Sequence, residues 1–299
     1  MKIAIAGASG LVGSALIPLL TNDGAAITRL VRSTPKPGEI EWHPNQVEVK
    51  TESLEGFDII INLAGENIAA GRWTDEQKRK IRDSRVSGTH LLSEAIAQMS
   101  ARPGASPSAF ICASATGIYG DRDDETLDEQ SESGGGFLAG VCREWEKACE
   151  PAIKAGVRVV NLRIGPVLAR DGGMLAKLLT PFKMGMGGKV GSGRQYISWV
   201  ALDDVVSAIK LAINDQRIRG PLNIVSPNPV RNEEFTRTLG HVLNRPTALV
   251  MPAFAARLAF GEMADDLLLA SQRVLPKRLI AAGFQFQYPQ LEAAFRKYI

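Results

Sequence analysis

The sequence predicts an α/β fold: a doubly wound parallel sheet with a smaller, mainly helical C-terminal lobe on its substrate side. Short apolar runs alternate with helical patterns through the first two-thirds of the chain. Those runs are nearly continuous in apolar residues rather than alternating, as strands covered on both faces must be. A glycine-rich turn, Gly7-Ala8-Ser9-Gly10-Leu11-Val12-Gly13, joins the first run to the first helical pattern.

Taken in order, Ile3 to Ala6 reads as the first strand. Leu11 to Leu20 carries apolar residues at helical spacing, and Asn22-Asp23-Gly24 stops it. Ile27 to Val31 is a second strand, and Phe57 to Leu63 is another that ends at Ala64-Gly65. The spacing of Ile81, Val86, Leu91, Leu92 and Ile96 predicts an amphipathic helix over Asp75 to Met99. Phe110 to Ala113 reads as a buried strand, Phe137 to Ile153 as a second long helix, and Val157 to Ile164 as a further strand. Beyond Gly165 the pattern changes. Leu168 to Arg194 is rich in Gly, Met and Lys without a period and reads as a substrate-side insertion or loop. Asp203 to Ile213 reads as a helix and Leu222 to Val225 as a strand. From Asn232 the chain is mostly helical, punctuated by Pro246, Pro252 and Pro276. The expected organisation is a dinucleotide-binding domain over 1–167, continued by 199–226, with 168–198 and 227–299 forming the smaller lobe.

Composition narrows the function classes. With 45% hydrophobic and 22% charged residues, the 299-residue chain has the make-up of a globular protein. A net charge of +3 without an extended basic run argues against nucleic acid, and no stretch of about 18 apolar residues points to a membrane span. Cys112, Cys142 and Cys149 lack metal-type spacing, as do His43, His90 and His241, so no metal is expected. Free thiols suit a reducing compartment, and a cytoplasmic location is expected. The apolar start resembles that of a signal peptide, but Gly7, Ser9, Gly10 and Gly13 break it at once.

Those glycines have a better explanation. A G-x-x-G-x-x-G turn between a strand and a helix marks a dinucleotide site of the Rossmann type. Gly7 permits the tight turn, Gly10 admits the pyrophosphate, and Gly13 lets the helix pack close on the strand. The backbone of Ser9, Leu11 and Val12 completes the cradle at the helix N-terminus, whose dipole favours the phosphate charge. The end of the second strand then selects the dinucleotide. Thr28-Arg29-Leu30-Val31-Arg32-Ser33 offers no acid to a ribose 2′-hydroxyl. Arg32 can instead pair with a 2′-phosphate, with Ser33 donating and Val31 beneath, so NADP(H) is the expected cofactor.

Several further segments carry a family pattern: Asn62-Leu63-Ala64-Gly65, Gly88-Thr89, Ser114 to Gly120, Leu162-Arg163-Ile164-Gly165-Pro166, and Trp199 to Val205. With the glycine turn, they resemble the extended short-chain dehydrogenases/reductases, the NAD-dependent epimerase/dehydratase superfamily. Asn62 to Ile68, Gly187 to Gln195 and Ser271 to Pro276 resemble more narrowly its YfcH-type epimerase family proteins, which end in a short domain of unknown function. The resemblance implies cofactor contacts from Leu63, Ala64 and Gly65, and from Ile164 and Gly165. Arg85 stands where relatives often carry Asn; a surface helix charge is the competing reading. Asp203-Asp204 falls at a position that caps a helix and meets the lobe interface.

The resemblance also implies a Tyr-x-x-x-Lys pair, the Tyr moving a proton and the Lys lowering its pKa. Aligned on Glu146, those two positions hold Leu138 and Cys142. Cys142 has no His beside it and reads as an inert thiol. Ser114 and Tyr119 remain as the catalytic candidates, against plainer roles as a turn residue and a packed ring. Two readings stay open. One is an NADP(H)-dependent oxidoreductase or epimerase acting on a small molecule, such as a nucleotide sugar, with Glu66, Asn67, Arg163, Arg194 and Gln195 near it. The other is a non-catalytic NADP(H)-binding sensor or interaction protein. Neither needs a nucleic-acid or membrane partner, and both leave a homodimer open.

Overall fold

The computed structural model describes residues 1–44, 51–102 and 104–299. Its central sheet is built from β1 (Lys2–Ala6), β2 (Ala26–Val31), β3 (Glu39–Glu41), β4 (Ile59–Asn62), β5 (Ala109–Ala115), β6 (Arg158–Ile164) and β7 (Gly220–Ile224). The seven strands lie in the order β7-β6-β5-β4-β1-β2-β3, and every pairing is parallel. The chain winds outward from β1 to β3, then returns and winds the other way from β4. The β1/β4 junction is therefore the switch point, where ligands bind beyond the strands' carboxyl ends.

Apolar residues on alternate faces of each strand give the sheet two cores. Ile3, Ile5, Ile61 and Ile111 pack against Leu16 and Leu20 of α1 (Leu11–Asn22) and against Val205 and Ile209 of α6 (Leu202–Asn214). On the opposite face, Ala4, Ile60, Phe110 and Cys112 meet α2 (Asp75–Ser100), α3 (Phe137–Lys147) and α4 (Glu150–Lys154) through Leu92, Ile96, Trp145 and Ala152. A third core joins the segments on either side of α6. In it Leu175 and Phe182 pack with Trp199, Phe235, Leu239 and Phe295, and the Phe235 and Phe295 rings meet edge to face at 5.0 Å. Asp204 ties this region to α6: its carboxylate accepts from the backbone N–H groups of Gln287 (2.7 Å) and Tyr288 (3.1 Å). Farther out, Thr126–Leu127 pairs in parallel with Arg273–Val274.

Two expectations need correction, and one strand was not foreseen. The helix foreseen over Phe137 to Ile153 is two helices, α3 and α4, because Pro151 stands in the first turn of α4. Proline has no N–H to bond the carbonyl four residues back, so the first helix stops. The segment from Leu168 to Arg194 is no plain loop. It holds α5 (Gly173–Lys183) and the short strand Gly188–Val190, which pairs with Leu249–Met251. Flanking glycines conceal the Leu175/Phe182 face of that helix. The edge strand β3, three residues long and only half-buried, has too little apolar content to be read from sequence.

The glycine turn divides its work among its three members. Gly7 has φ +78°, and a Cβ there would stand 2.6 Å from the Leu63 carbonyl carbon. A Cβ at Gly13 would stand 2.3 Å from the Gly7 carbonyl oxygen, whereas one at Gly10 would meet only that oxygen, at 3.3 Å. Two glycines thus hold backbone against backbone, and the third faces open space. Gly13→Ala is accordingly expected to destabilise the fold by about 1–3 kcal/mol. Gly10→Ala should cost less than about 1 kcal/mol while losing dinucleotide binding; urea unfolding and ligand titration of both variants separate the two roles.

Candidate functional site

The open side of Gly10 faces the switch point. Gly10 is the N-cap of α1 and has no side chain to satisfy the first N–H groups of the helix, and no acidic residue lies in the first turn. Such donors are a ready anion site. Ser9 is exposed beside them, and Leu11 and Val12 are half-buried. At the end of β2, Val31 is half-buried while Arg32 and Ser33 are exposed. Arg32 forms no ion pair among the described residues. A cradle that is closed at Gly7 and Gly13, open at Gly10, and flanked by a cation fits a dinucleotide with an extra phosphate.

Across the switch point, Leu63 continues the sheet by donating its N–H to Ala6 (2.9 Å). Asn62 turns the chain there: its Oδ1 accepts from the Ala64 N–H (3.1 Å), and its Nδ2 donates to Thr89 Oγ1 (2.9 Å). Gly65 lies against the Arg85 guanidinium, 3.2 Å from where a Cβ would be. Arg85 is thus no free surface charge. At β6, Ile164 is half-buried. Gly165 donates to the Ile224 carbonyl (3.0 Å), and a Cβ on it would fall 2.1 Å from the Ser198 carbonyl oxygen. Glycine is required at 165 by that packing.

Between β5 and β7 lies a row of buried polar groups. Ser114, Arg163 and Asn223 stand in register on three neighbouring strands, and so share one face. Glu146 of α3 closes the row. Its carboxylate takes a forked bond from Arg163, Nε to Oε1 at 2.8 Å and Nη2 to Oε2 at 2.9 Å, and a bond from the Ser114 hydroxyl at 2.7 Å. Arg163 Nη1 in turn donates to Tyr119 Oη (3.0 Å). Burial alone would lower the Arg163 pKa, but the Glu146 carboxylate outweighs it and holds the pKa above the ordinary value.

This network corrects the expectation for Tyr119. The residue has no exposure, and its hydroxyl is taken up by Arg163, the Asp128 carbonyl (2.9 Å) and Asn223 Oδ1 (2.7 Å). Burial pushes the phenol up, against the pull of Arg163. It braces the strand ends and does not reach a cleft. Ser114 is 3% exposed with its hydroxyl directed at Glu146. Arg163, expected near a small molecule, is buried in the same network. Gln195 does line the cleft described below, with its amide donating to the carbonyls of Val190 (3.0 Å) and Leu268 (2.9 Å). Cys142, in the lysine position, is pushed up to about 12 by burial and then by Glu146, so it stays a thiol. A signal for this row was present in the sequence as Arg163, a charged residue set between the apolar Leu162 and Ile164 of its strand.

A cleft of about 910 Å³ opens beside the row, between Gly117, Leu138 and Gly136 on one side and Arg194, Asp266 and Gln272 on the other. Asp266 was not foreseen. Its Oδ2 accepts from the Leu138 N–H at 3.0 Å, and burial holds its carboxyl above the usual range against that bond. The C-terminal segment thereby places a carboxylate at the Leu138 N–H, in the first turn of α3. Sequence spacing had no means of joining residues 128 apart. Arg194 is exposed at the rim. Among the described residues no cluster of His, Cys, Asp or Glu could hold a metal, and no helix is long and apolar enough to cross a membrane.

Comparison with known proteins agrees with this geometry. Residues 3–224 match the model of the NAD dependent epimerase/dehydratase family, and residues 251–298 match a domain of unknown function. An epimerase family protein of Mycobacterium leprae is 44% identical over 287 residues, 96% of this chain and 92% of that protein. The human epimerase family protein SDR39U1, solved with NADPH, superposes with a TM-score of 0.89 at 30% identity, covering 100% of this chain and 99% of that one. A nucleoside-diphosphate sugar epimerase from Corynebacterium glutamicum gives 0.82 at 39% identity over 100% of this chain and 58% of that one. MoeE5 in complex with UDP-glucose and NAD, at 19% identity and TM-score 0.78 over 100% of this chain and 97% of that one, shares the fold. The chain belongs to the NAD-dependent epimerase/dehydratase family, in the group whose members end in that C-terminal domain of unknown function.

Proposed function

We propose that this chain binds NADP(H) across the switch point and uses it in oxidoreductase or epimerase chemistry on a small molecule held in the cleft under the C-terminal segment. The observation that carries the reading is Arg32: an exposed cation at the end of β2 that forms no ion pair among the described residues, where no acid stands, beside a cradle open only at Gly10. The NADPH bound to the human relative supports it. The cofactor supplies hydride transfer. The chain's own part is to bind and orient through Gly7 to Gly13, Arg32 and Ser33, with Leu63, Ala64 and Gly65 forming the floor. Ser114 and Tyr119 serve the sheet edge through Glu146 and Arg163. Proton transfer falls to Asp266, the titratable group that faces the cleft at the tyrosine position.

A second reading, a binding protein that senses NADP(H) without turnover, is favoured by one feature: the hydroxyls of Ser114 and Tyr119 are both committed within the protein. Hydride-isotope exchange from labelled NADPH onto a panel of carbonyl compounds and nucleotide sugars decides between the two. On the enzymatic reading exchange is detected, and Asp266→Asn lowers it at least a hundredfold with NADPH affinity within twofold. Tight binding with no exchange across the panel supports the sensor.

Two further outcomes are expected. Arg32→Ala should weaken NADPH binding by about 1.5–3 kcal/mol, the range for a charge-assisted bond, and leave NADH nearly unchanged; equal losses in calorimetric titration count against the 2′-phosphate assignment. Glu146→Gln leaves Arg163, with its side chain 9% exposed, short of its counter-charge. Unfolding in urea should then show a loss of about 3–5 kcal/mol.

A further inference from the structure

Asp121, Asp123 and Gln195 all line the cleft, and one serine ties them together. Ser271, 5% exposed, takes the Tyr196 N–H on its Oγ at 3.0 Å and gives its own N–H to Asp121 Oδ1 at 2.8 Å. Its hydroxyl donates in turn to the Asp123 carbonyl. Next to Tyr196 in the chain stands Gln195, 7% exposed. Its Nε2 sits between the Val190 and Leu268 carbonyls and donates to both, which fixes the remaining amide atom as the oxygen. That Oε1 accepts no bond among the described residues, and it is not one of the side-chain atoms sealed inside without a partner. It therefore opens on the cleft that Gln195 lines. A buried acceptor held in this way calls for a donor from whatever fills the space.

The charges around it call for the same thing. Five aspartates and two arginines line the cleft. Arg257 is taken by Asp265 at 2.9 Å, and Asp124 is taken by Arg231, which is not among the lining residues, at 3.1 Å. Asp121 and Asp123 form no ion pair among the described residues. The other lining cation, Arg194, is exposed at the rim. A nucleotide sugar would lay its diphosphate against these carboxylates with no inner cation to receive it, and shedding its water there would be costly. We propose that the cleft takes a small substrate that carries a protonated amine and no phosphate. Asp121 and Asp123 hold the ammonium, and Gln195 Oε1 accepts one of its three N–H groups. The same carboxylates turn phosphorylated compounds away.

The proposal rests on the reading of the cleft as the place where a small molecule meets the cofactor, and its test keeps the two apart. The full chain, loaded with NADP+, is titrated by calorimetry with probes matched in all but charge. One set is glucosamine, glucose and glucose 6-phosphate; the other is aminoacetone, hydroxyacetone and hydroxyacetone phosphate; UDP-glucose is added to both. The ammonium member of a set is expected to bind at least about tenfold tighter than its neutral counterpart, and the phosphorylated members and UDP-glucose not to bind. Asp121→Asn combined with Asp123→Asn, which keeps an Oδ1 for the Ser271 N–H, should erase that preference while NADPH affinity stays within twofold. A neutral or phosphorylated member that binds as tightly as the ammonium one overturns the proposal. So does a chain that binds NADPH but neither ammonium probe. Should the double variant lose NADPH, Asp123→Asn alone decides, since that side chain makes no bond among the described residues; an unchanged ammonium preference then overturns the assignment. Ammonium binding without hydride exchange supports the inference and removes the enzymatic reading, whereas a chain that fails to bind NADPH overturns the NADP(H) reading instead.

Discussion

The ion pair between Glu146 and Arg163 sets the arrangement of everything at the carboxyl ends of β5, β6 and β7. Both partners are largely shielded from water, so their attraction is little screened and leaving either alone would be expensive. Neighbours then take up further hydrogen-bonding positions of the pair. Ser114 takes one carboxylate oxygen, and Tyr119 takes the free guanidinium nitrogen and passes the link to Asn223. A fully satisfied polar network of this kind rigidifies the strand ends. In this chain a structural lock occupies the ground where a reductase would keep its mobile proton.

That lock explains which parts of the site were readable from sequence. The glycine turn was legible because its function depends on local spacing: strand, Gly7, Gly10, Gly13, helix. The sheet strands were legible because burial on both faces leaves an unbroken apolar run, as in Phe110 to Ala113. Arg32 could be located at a strand end because it immediately follows the short strand pattern Ile27 to Val31. Tyr119 and Ser114 misled for the opposite reason. Both stand beside the right strand end, but what a hydroxyl does is decided by residues as distant as Asn223, and no local pattern reports that. Asp266 and the contact of Arg85 with Gly65 were hidden for the same cause, as was α5, whose buried face is short and framed by glycines.

Charge and its absence define the cofactor groove in complementary ways. The thiol of Cys142 stays neutral, and the adjoining positive charge, that of Arg85, comes from a different helix. The C-terminal segment then takes up α3 through Asp266 and the Leu138 N–H, so one helix joins the dinucleotide half of the molecule to the segment that closes the cleft.

The pairing of Thr126–Leu127 with Arg273–Val274 has a bearing on the order of assembly. Domains form as the chain leaves the ribosome, amino end first. The glycine turn and strands β1 to β6 are complete by residue 164. The loop between β5 and α3, however, waits for a partner strand about 150 positions later. Closing so long a span makes docking of the tail a late event. A newly made chain thus has most of its dinucleotide half well before its cleft has a second wall.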